Sequence, residues 1–238
     1  MYIIEGNIGA GKTTFLNIIG QSFPHIKIVD EPLDIWDSKK HGQSLLSFFY
    51  QDTPRWAFTM EMFTIMCRVR EHIKEQQDFG RPIVMERSIY SGYYCFALNS
   101  FRQGFMNRME WEIYKRWFNY MVKGKCSLPN GFIYLKTSPD IAHERTAKRN
   151  REGEETIPLS YFKQINERLE DFLIHKKDVA PEHKDIPILV LDCDQEFEHN
   201  KGRKNLLLSS IIQFFDDTQK FQPAYLQNPF TKEKGGYF

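Results

Sequence analysis

Residues 2–13 read YIIEGNIGAGKT. Tyr2 to Gly6 is a short, nearly continuous apolar run, the pattern of a strand buried on both faces of a parallel sheet. It runs into Gly6-Asn7-Ile8-Gly9-Ala10-Gly11-Lys12-Thr13, which fits the spacing G-x-x-x-x-G-K-[ST] and opens a helix. In that setting the glycines let backbone N–H groups turn inward around phosphate oxygens, and the helix N-terminus adds positive potential. Lys12 reaches the terminal phosphates, and the Thr13 hydroxyl is placed to ligate Mg²⁺. A nucleoside triphosphate such as ATP is the expected ligand of Gly6 to Thr14. A turn that merely joined strand to helix would leave Lys12 and Thr13 as coincidences.

Outward from this loop, four more β-rich runs follow: IKIVDEP at 26–32, PIVMERS at 82–88, GFIYLKTSP at 131–139 and IPILVLD at 186–192. Helical patterns fall between them, roughly at 12–21, 43–77, 89–122, 140–149 and 160–176, with a last one at 203–216. The βαβ progression predicts an α/β fold of three layers, a parallel five-stranded sheet flanked by helices. A chain of 238 residues with 41% hydrophobic content suits one large core. Residues 1–216 are expected to form a single domain. The stretch 217–238, with two prolines and two adjacent glycines, reads as an irregular tail.

Thirty-two Lys and Arg against 31 Asp and Glu leave a formal charge of +1, so no global field points to nucleic acid or to an anionic membrane. Any anion site must be local. No apolar run approaches membrane-spanning length, and no signal-peptide pattern precedes the phosphate loop. Four widely spaced cysteines without a C-x-x-C pair suit a reducing compartment. The expected location is cytoplasmic; a mitochondrial one stays open, since a removed transit peptide leaves no trace.

Two carboxylates stand at strand ends, where ligands of open α/β sheets collect: Glu31 in VDEP and Glu86 in MERS. Pro32 biases Glu31 toward an extended conformation, from which its carboxylate could take a hydroxyl proton. Glu86 suits Mg²⁺, and Arg87 suits a transferring phosphoryl group or Glu31. Taken alone, each pair reads as ordinary surface charge. The run HERTAKRNREGEE at 143–155 places Arg145 and Arg149 on one helical face with Arg151 beyond. It reads either as an Arg-rich lid over phosphates, about 145–157, or as a solvated helix end. In FTMEMFTIMCRVR at 58–70, Glu61 sits among apolar residues with Arg68 two turns on.

GNIGAGKTT, EPLDIW, YQDTPRWAFTMEMFTIMCRVR, ERSIYSGYYCF and RTAKRNREGEETIPLSYF, in that order, resemble the deoxynucleoside kinases, from Met1 to about Phe215. The resemblance implies a P-loop kinase fold and ATP-dependent phosphorylation of a deoxynucleoside 5′-hydroxyl in nucleotide salvage, with a homodimer as the expected assembly. It makes Glu31 the general base and Arg87 its partner, with Lys12 and Thr13 on the phosphates and Mg²⁺ and Glu86 near the metal. Arg145, Arg149 and Arg151 match lid arginines. Tyr50 and Glu154 match the pair that holds the sugar 3′-hydroxyl, and Trp36 and Phe96 match aromatics of the nucleoside pocket. Glu196 and Phe197 match a loop touching the donor base.

Three pocket positions depart from the family pattern. Glu61 stands where members usually carry a base-reading Gln, Met60 where deoxycytidine kinases have a stacking Phe, and Gly92 in place of an Asp. Arg68 is retained. An ionised carboxylate only accepts hydrogen bonds, and guanine offers it two adjacent donors, so the reading leans to purines and first to deoxyguanosine. The other reading of Glu61 is an internal ion pair with Arg68. Pyrimidine or broad specificity, or a nucleoside monophosphate kinase such as thymidylate kinase, are the alternatives for the whole chain.

Overall fold

The computed structural model describes residues 1–32, 35, 44–78, 80–151, 154 and 156–220. Five strands, β1 (Tyr2–Gly6), β2 (Lys27–Val29), β3 (Ile83–Glu86), β4 (Gly131–Lys136) and β5 (Ile188–Asp192), form one parallel sheet in the order β2-β3-β1-β4-β5. The phosphate-loop strand lies at its centre, Ile3 opposite Met85 on one side and Phe132 on the other.

Successive residues of a strand face opposite sides, and the packing follows that alternation. Ile3, Phe132 and Tyr134 enter the core beneath the long helices, whereas Tyr2, Ile4, Ile133 and Leu135 enter the other. The first layer holds α2 (Leu45–Gln51), α3 (Thr53–Glu75), α4 (Ile89–Ser91) with the π-helical turn Gly92–Ala97, α5 (Leu98–Arg102), α6 (Arg108–Val122) and α8 (Leu159–Leu169). The other face is covered by α1 (Lys12–Ser22) and α10 (Lys201–Lys220). Between them in sequence come α7 (Pro139–Arg149), a second π-turn at Glu170–Ile174 and the short α9 (Pro181–Lys184). The expected three-layer α/β architecture is what forms.

Boundaries moved where local chemistry outweighs periodicity. The helix expected at 43–77 breaks at Asp52, whose carboxylate accepts from the Arg55 N–H and caps α3 ahead of Pro54. The helix expected at 89–122 is interrupted after Arg102, because Asn107 and Glu110 form a capping box that restarts it. Asp217 to Lys220, read from sequence as irregular, continue α10. The Thr218 hydroxyl lies 2.6 Å from the Tyr2 hydroxyl, which ties that turn to β1.

Candidate functional site

The phosphate loop takes the shape its glycines allow. Gly9 and Gly11 have φ of +71° and +88°, where a side chain is strained. Asn7 fastens the loop: its side-chain amide donates to the Phe162 carbonyl at 2.9 Å, and its own carbonyl accepts from Lys12 Nζ at 2.9 Å. Burial, and then the neighbouring Arg87, pull the Lys12 ammonium down to about 7. Thr13 donates to Glu86 at 2.9 Å, so the two predicted metal ligands meet at the end of β3.

Beside the loop, three charges whose side chains are largely shielded from solvent form one cluster. The Glu31 carboxylate accepts from Arg68 Nη2 at 2.5 Å and faces Arg87 Nε at 3.2 Å. Burial alone would raise the Glu31 pKa, but the two guanidinium groups more than offset it and leave the carboxyl below its ordinary value. Arg87 sits at the end of β3 in the left-handed region, φ +62°, unusual for a residue with a side chain. Its backbone N–H bonds Ile4, its Nη1 bonds the Gly6 carbonyl at 3.2 Å, and its cation lies 4.7 Å from the Phe96 ring. Beneath the cluster the fully buried Glu5 accepts from Ser88.

Two cavities open from here. The inner one is lined by Glu31, Tyr50, Met60, Glu61, Arg68, Arg87, Phe96 and Glu154; the outer by Gly11, Thr14, Arg145, Glu196 and Phe197. They share Gly9, Lys12, Thr13, Glu86, Arg149 and Arg151. Their junction is therefore the loop itself, with Glu31 on the inner side. A group held by Lys12 from outside would meet an acceptor held near Glu31 from inside.

The arginines divide. Arg149 and Arg151 are drawn to Glu154, at 2.6 and 3.5 Å. Arg145 instead donates to the carbonyls of Cys193 and Asp194, at 2.8 and 2.9 Å, and so holds the segment that carries Glu196 and Phe197. Phe197 packs edge-on to Phe15 and lies over Gly11. Glu196 accepts backbone N–H bonds from Glu198, His199 and Asn200. Trp36 lies outside the described residues.

A family model for deoxynucleoside kinase matches residues 2–216. The chain is 34% identical to deoxycytidine kinase 2 of Gallus gallus, over 89% of this chain and 88% of that one. It is 33% identical to deoxycytidine kinase of Homo sapiens over 89% of each, and 30% identical to a mitochondrial deoxyguanosine kinase of Xenopus laevis over 89% and 88%. The chain belongs to the deoxynucleoside kinase family.

In this kinase, the structure bears on three readings of the inner cavity. Among the described residues Arg68 makes an ion pair with Glu31 and none with Glu61, although its charge still acts on Glu61. Glu61, read from the sequence as ionised, lies where burial favours the neutral acid. Its side chain is buried, no hydrogen bond or ion pair joins that side chain to another described residue, and burial, opposed by Arg68, pushes its pKa up to about 8. Gly92 does not line the cavity; it acts at one remove, since a Cβ there would lie 3.0 Å from Arg68 Nη1.

Several cavity residues were not read from the sequence: Leu46, Phe49, Thr64 and Tyr161 on the inner side and Lys148 on the outer. Thr64 was legible in principle, one helical turn after Glu61 on the same face. Tyr161 carried no local signal, because α8 is brought to the site by long-range packing. Glu5 did carry one, as a lone acid inside a continuous apolar strand.

Proposed function

We propose that the chain transfers the γ-phosphoryl group of ATP to the 5′-hydroxyl of a deoxynucleoside, for nucleotide salvage. The observation that carries this reading is the junction of two cavities at Lys12, Thr13 and Glu86, with the Glu31 carboxylate facing it from the acceptor side between two guanidinium groups. Phosphoryl transfer needs alignment and charge neutralisation more than covalent assistance. Lys12 and the loop N–H groups hold the donor phosphates, Arg87 offsets charge at the attacked phosphorus, and Glu31 takes the acceptor proton. Tyr50 and Glu154 face the sugar, and Arg149 and Arg151, released from Glu154 when phosphate arrives, close on the transferring group.

The donor set at Thr13 and Glu86, a hydroxyl 2.9 Å from a carboxylate, fits a hard divalent cation, and these two residues would hold Mg²⁺. When bound, the ion neutralises charge on the donor phosphates. Residues 1–216 are taken as the catalytic domain. The free cysteines, three of them buried, support a reducing, cytoplasmic setting.

A homodimer is part of the proposal. Met109, Ile113, Trp117 and Tyr120 form one stripe along α6, and all four are exposed, as is Met66 on α3. Such a face suits a symmetric partner helix. Light scattering should give twice the chain mass, and Trp117→Glu should halve it.

The catalytic reading is tested by offering the four deoxynucleosides, the ribonucleosides and the corresponding monophosphates with ATP and Mg²⁺. Phosphorylation of nucleosides and not of monophosphates is expected. The reverse pattern would favour a monophosphate kinase, although Glu31 beside the acceptor would repel a substrate phosphate.

A further inference from the structure

We propose that Glu61 faces the bound base as a neutral carboxylic acid, and that its ionisation narrows the substrate range from all four bases toward guanine. This rests on the kinase reading above. The observation behind it is a buried acid, 4% exposed, that lines the acceptor cavity with no side-chain hydrogen bond or ion pair to any described residue. Among the described residues the one cation acting on it is Arg68, on the same helix, which makes an ion pair with Glu31. The other titratable groups that feel it are Tyr114 from α6 and Tyr161 from α8, both held neutral well beyond physiological pH by burial. Glu31 and Arg87 lie across the cavity and are engaged with each other. Neither Tyr114 nor Tyr161 supplies a counter-charge, and burial lifts the Glu61 pKa to about 8.

The two protonation states present different hydrogen-bonding faces. A neutral acid offers one O–H donor beside one carbonyl acceptor. Adenine and cytosine meet it with a ring nitrogen and an exocyclic amino group; guanine and thymine meet it with a carbonyl oxygen and a ring N–H. Every base can make two bonds. The carboxylate accepts only, and guanine alone sets two adjacent donors, N1–H and the 2-amino group, against it. Adenine and cytosine would then oppose a ring lone pair to an oxygen lone pair, and thymine a carbonyl. A mispaired buried edge is expected to cost roughly 5- to 150-fold in kcat/KM.

The sign follows from the direction of the shift. A raised acid pKa means that the neutral, broad form prevails below about pH 8 and the guanine-selective form above it. The experiment measures kcat/KM for the four deoxynucleosides with ATP and Mg²⁺ from about pH 6 to about pH 9, together with equilibrium binding of each by calorimetry. Ratios between substrates cancel ionisations common to all, such as those of Glu31 and Lys12. In the wild type the ratio of deoxyguanosine to deoxyadenosine should rise several-fold or more, with its midpoint near pH 8 in both kinetics and binding. In Glu61→Gln, whose amide keeps one donor and one acceptor at every pH of this range, that ratio should be flat.

A wild-type ratio that does not change with pH overturns the inference while leaving the kinase reading intact. So does a ratio that changes equally in Glu61→Gln, because another group would then be titrating. Turnover of monophosphates alone would defeat the kinase reading itself. If the variant fails to fold, the wild-type ratio still decides.

Discussion

Replacing Glu31 by Gln separates two roles that one carboxylate holds in this site. It neutralises Arg68 and Arg87 and, in the proposed reaction, takes the acceptor proton. The side chains of Glu31, Arg68 and Arg87 are 8%, 11% and 6% exposed, so the cluster is largely shielded from solvent. Removing one partner of such a buried cluster typically costs about 3–5 kcal/mol. The amide oxygen of Gln still accepts from one guanidinium, which places the expected loss near the lower end, about 3 kcal/mol. For a domain of this size that corresponds to a drop in Tm of roughly 6–12 °C.

The catalytic cost has a different origin. General-base assistance contributes about 10²- to 10⁴-fold, so kcat should fall at least about a hundredfold, or about 2.7 kcal/mol in barrier height. KM for the nucleoside should change only a few-fold, because the base contacts and the Tyr50–Glu154 side of the cavity are untouched. Steady-state kinetics at a temperature well below the variant's Tm, with ATP saturating, reads the two effects apart. A kcat within threefold of wild type, accompanied by the full loss of Tm, would show that Glu31 serves as a counter-ion and that the proton leaves by another route.

Three further expectations concern the loop and its neighbours. Lys12, lowered to about 7 by burial and by Arg87, should regain its full charge when triphosphate binds; calorimetry in buffers of different ionisation heat should show proton uptake near neutral pH that fades below about pH 6, and a buffer-independent heat would refute it. Gly9→Ala puts a Cβ 2.2 Å from the Ala142 carbonyl oxygen and 2.5 Å from Thr146 Oγ1, at φ +71°, so α7 must shift away from the loop; KM for ATP should rise and Tm should fall by at least about 2–8 °C, and wild-type values for both would show that the loop tolerates the change. Gly92→Asp brings a carboxylate to Arg68 and draws it from Glu31; since Arg68 and Arg87 hold Glu31 below its ordinary value against burial, the acid limb of kcat/KM should move to higher pH, and an unmoved limb would mean that Arg68 stays on Glu31.

What could be read from the sequence depended on how local the deciding physics is. The strand, turn and helix around Gly6 to Thr13 are set by backbone sterics within a dozen residues, so the central strand and the phosphate loop were legible at once. The caps at Asp52 and Asn107 are equally local, yet they were missed, because the first break is the single residue Asp52 and the second, between Arg102 and Arg108, is set by a capping box rather than by a change of period. Arg87 was named for its charge, but the left-handed backbone that turns it toward Glu31 and the Gly6 carbonyl depends on β3 lying against β1, a long-range pairing.

Glu61 marks the limit most clearly. From sequence it was a carboxylate with an arginine two turns along, read as ionised and either facing a base or paired with Arg68. In the folded chain Arg68 is engaged by Glu31, a residue 37 positions away that reaches the same cavity from the end of β2. One long-range competition for a guanidinium thus leaves Glu61 buried without an ion pair to any described residue, and burial outweighs Arg68 in setting its pKa. Helical spacing shows which side chains could meet. Which of them do meet is decided by the strands that the fold brings alongside.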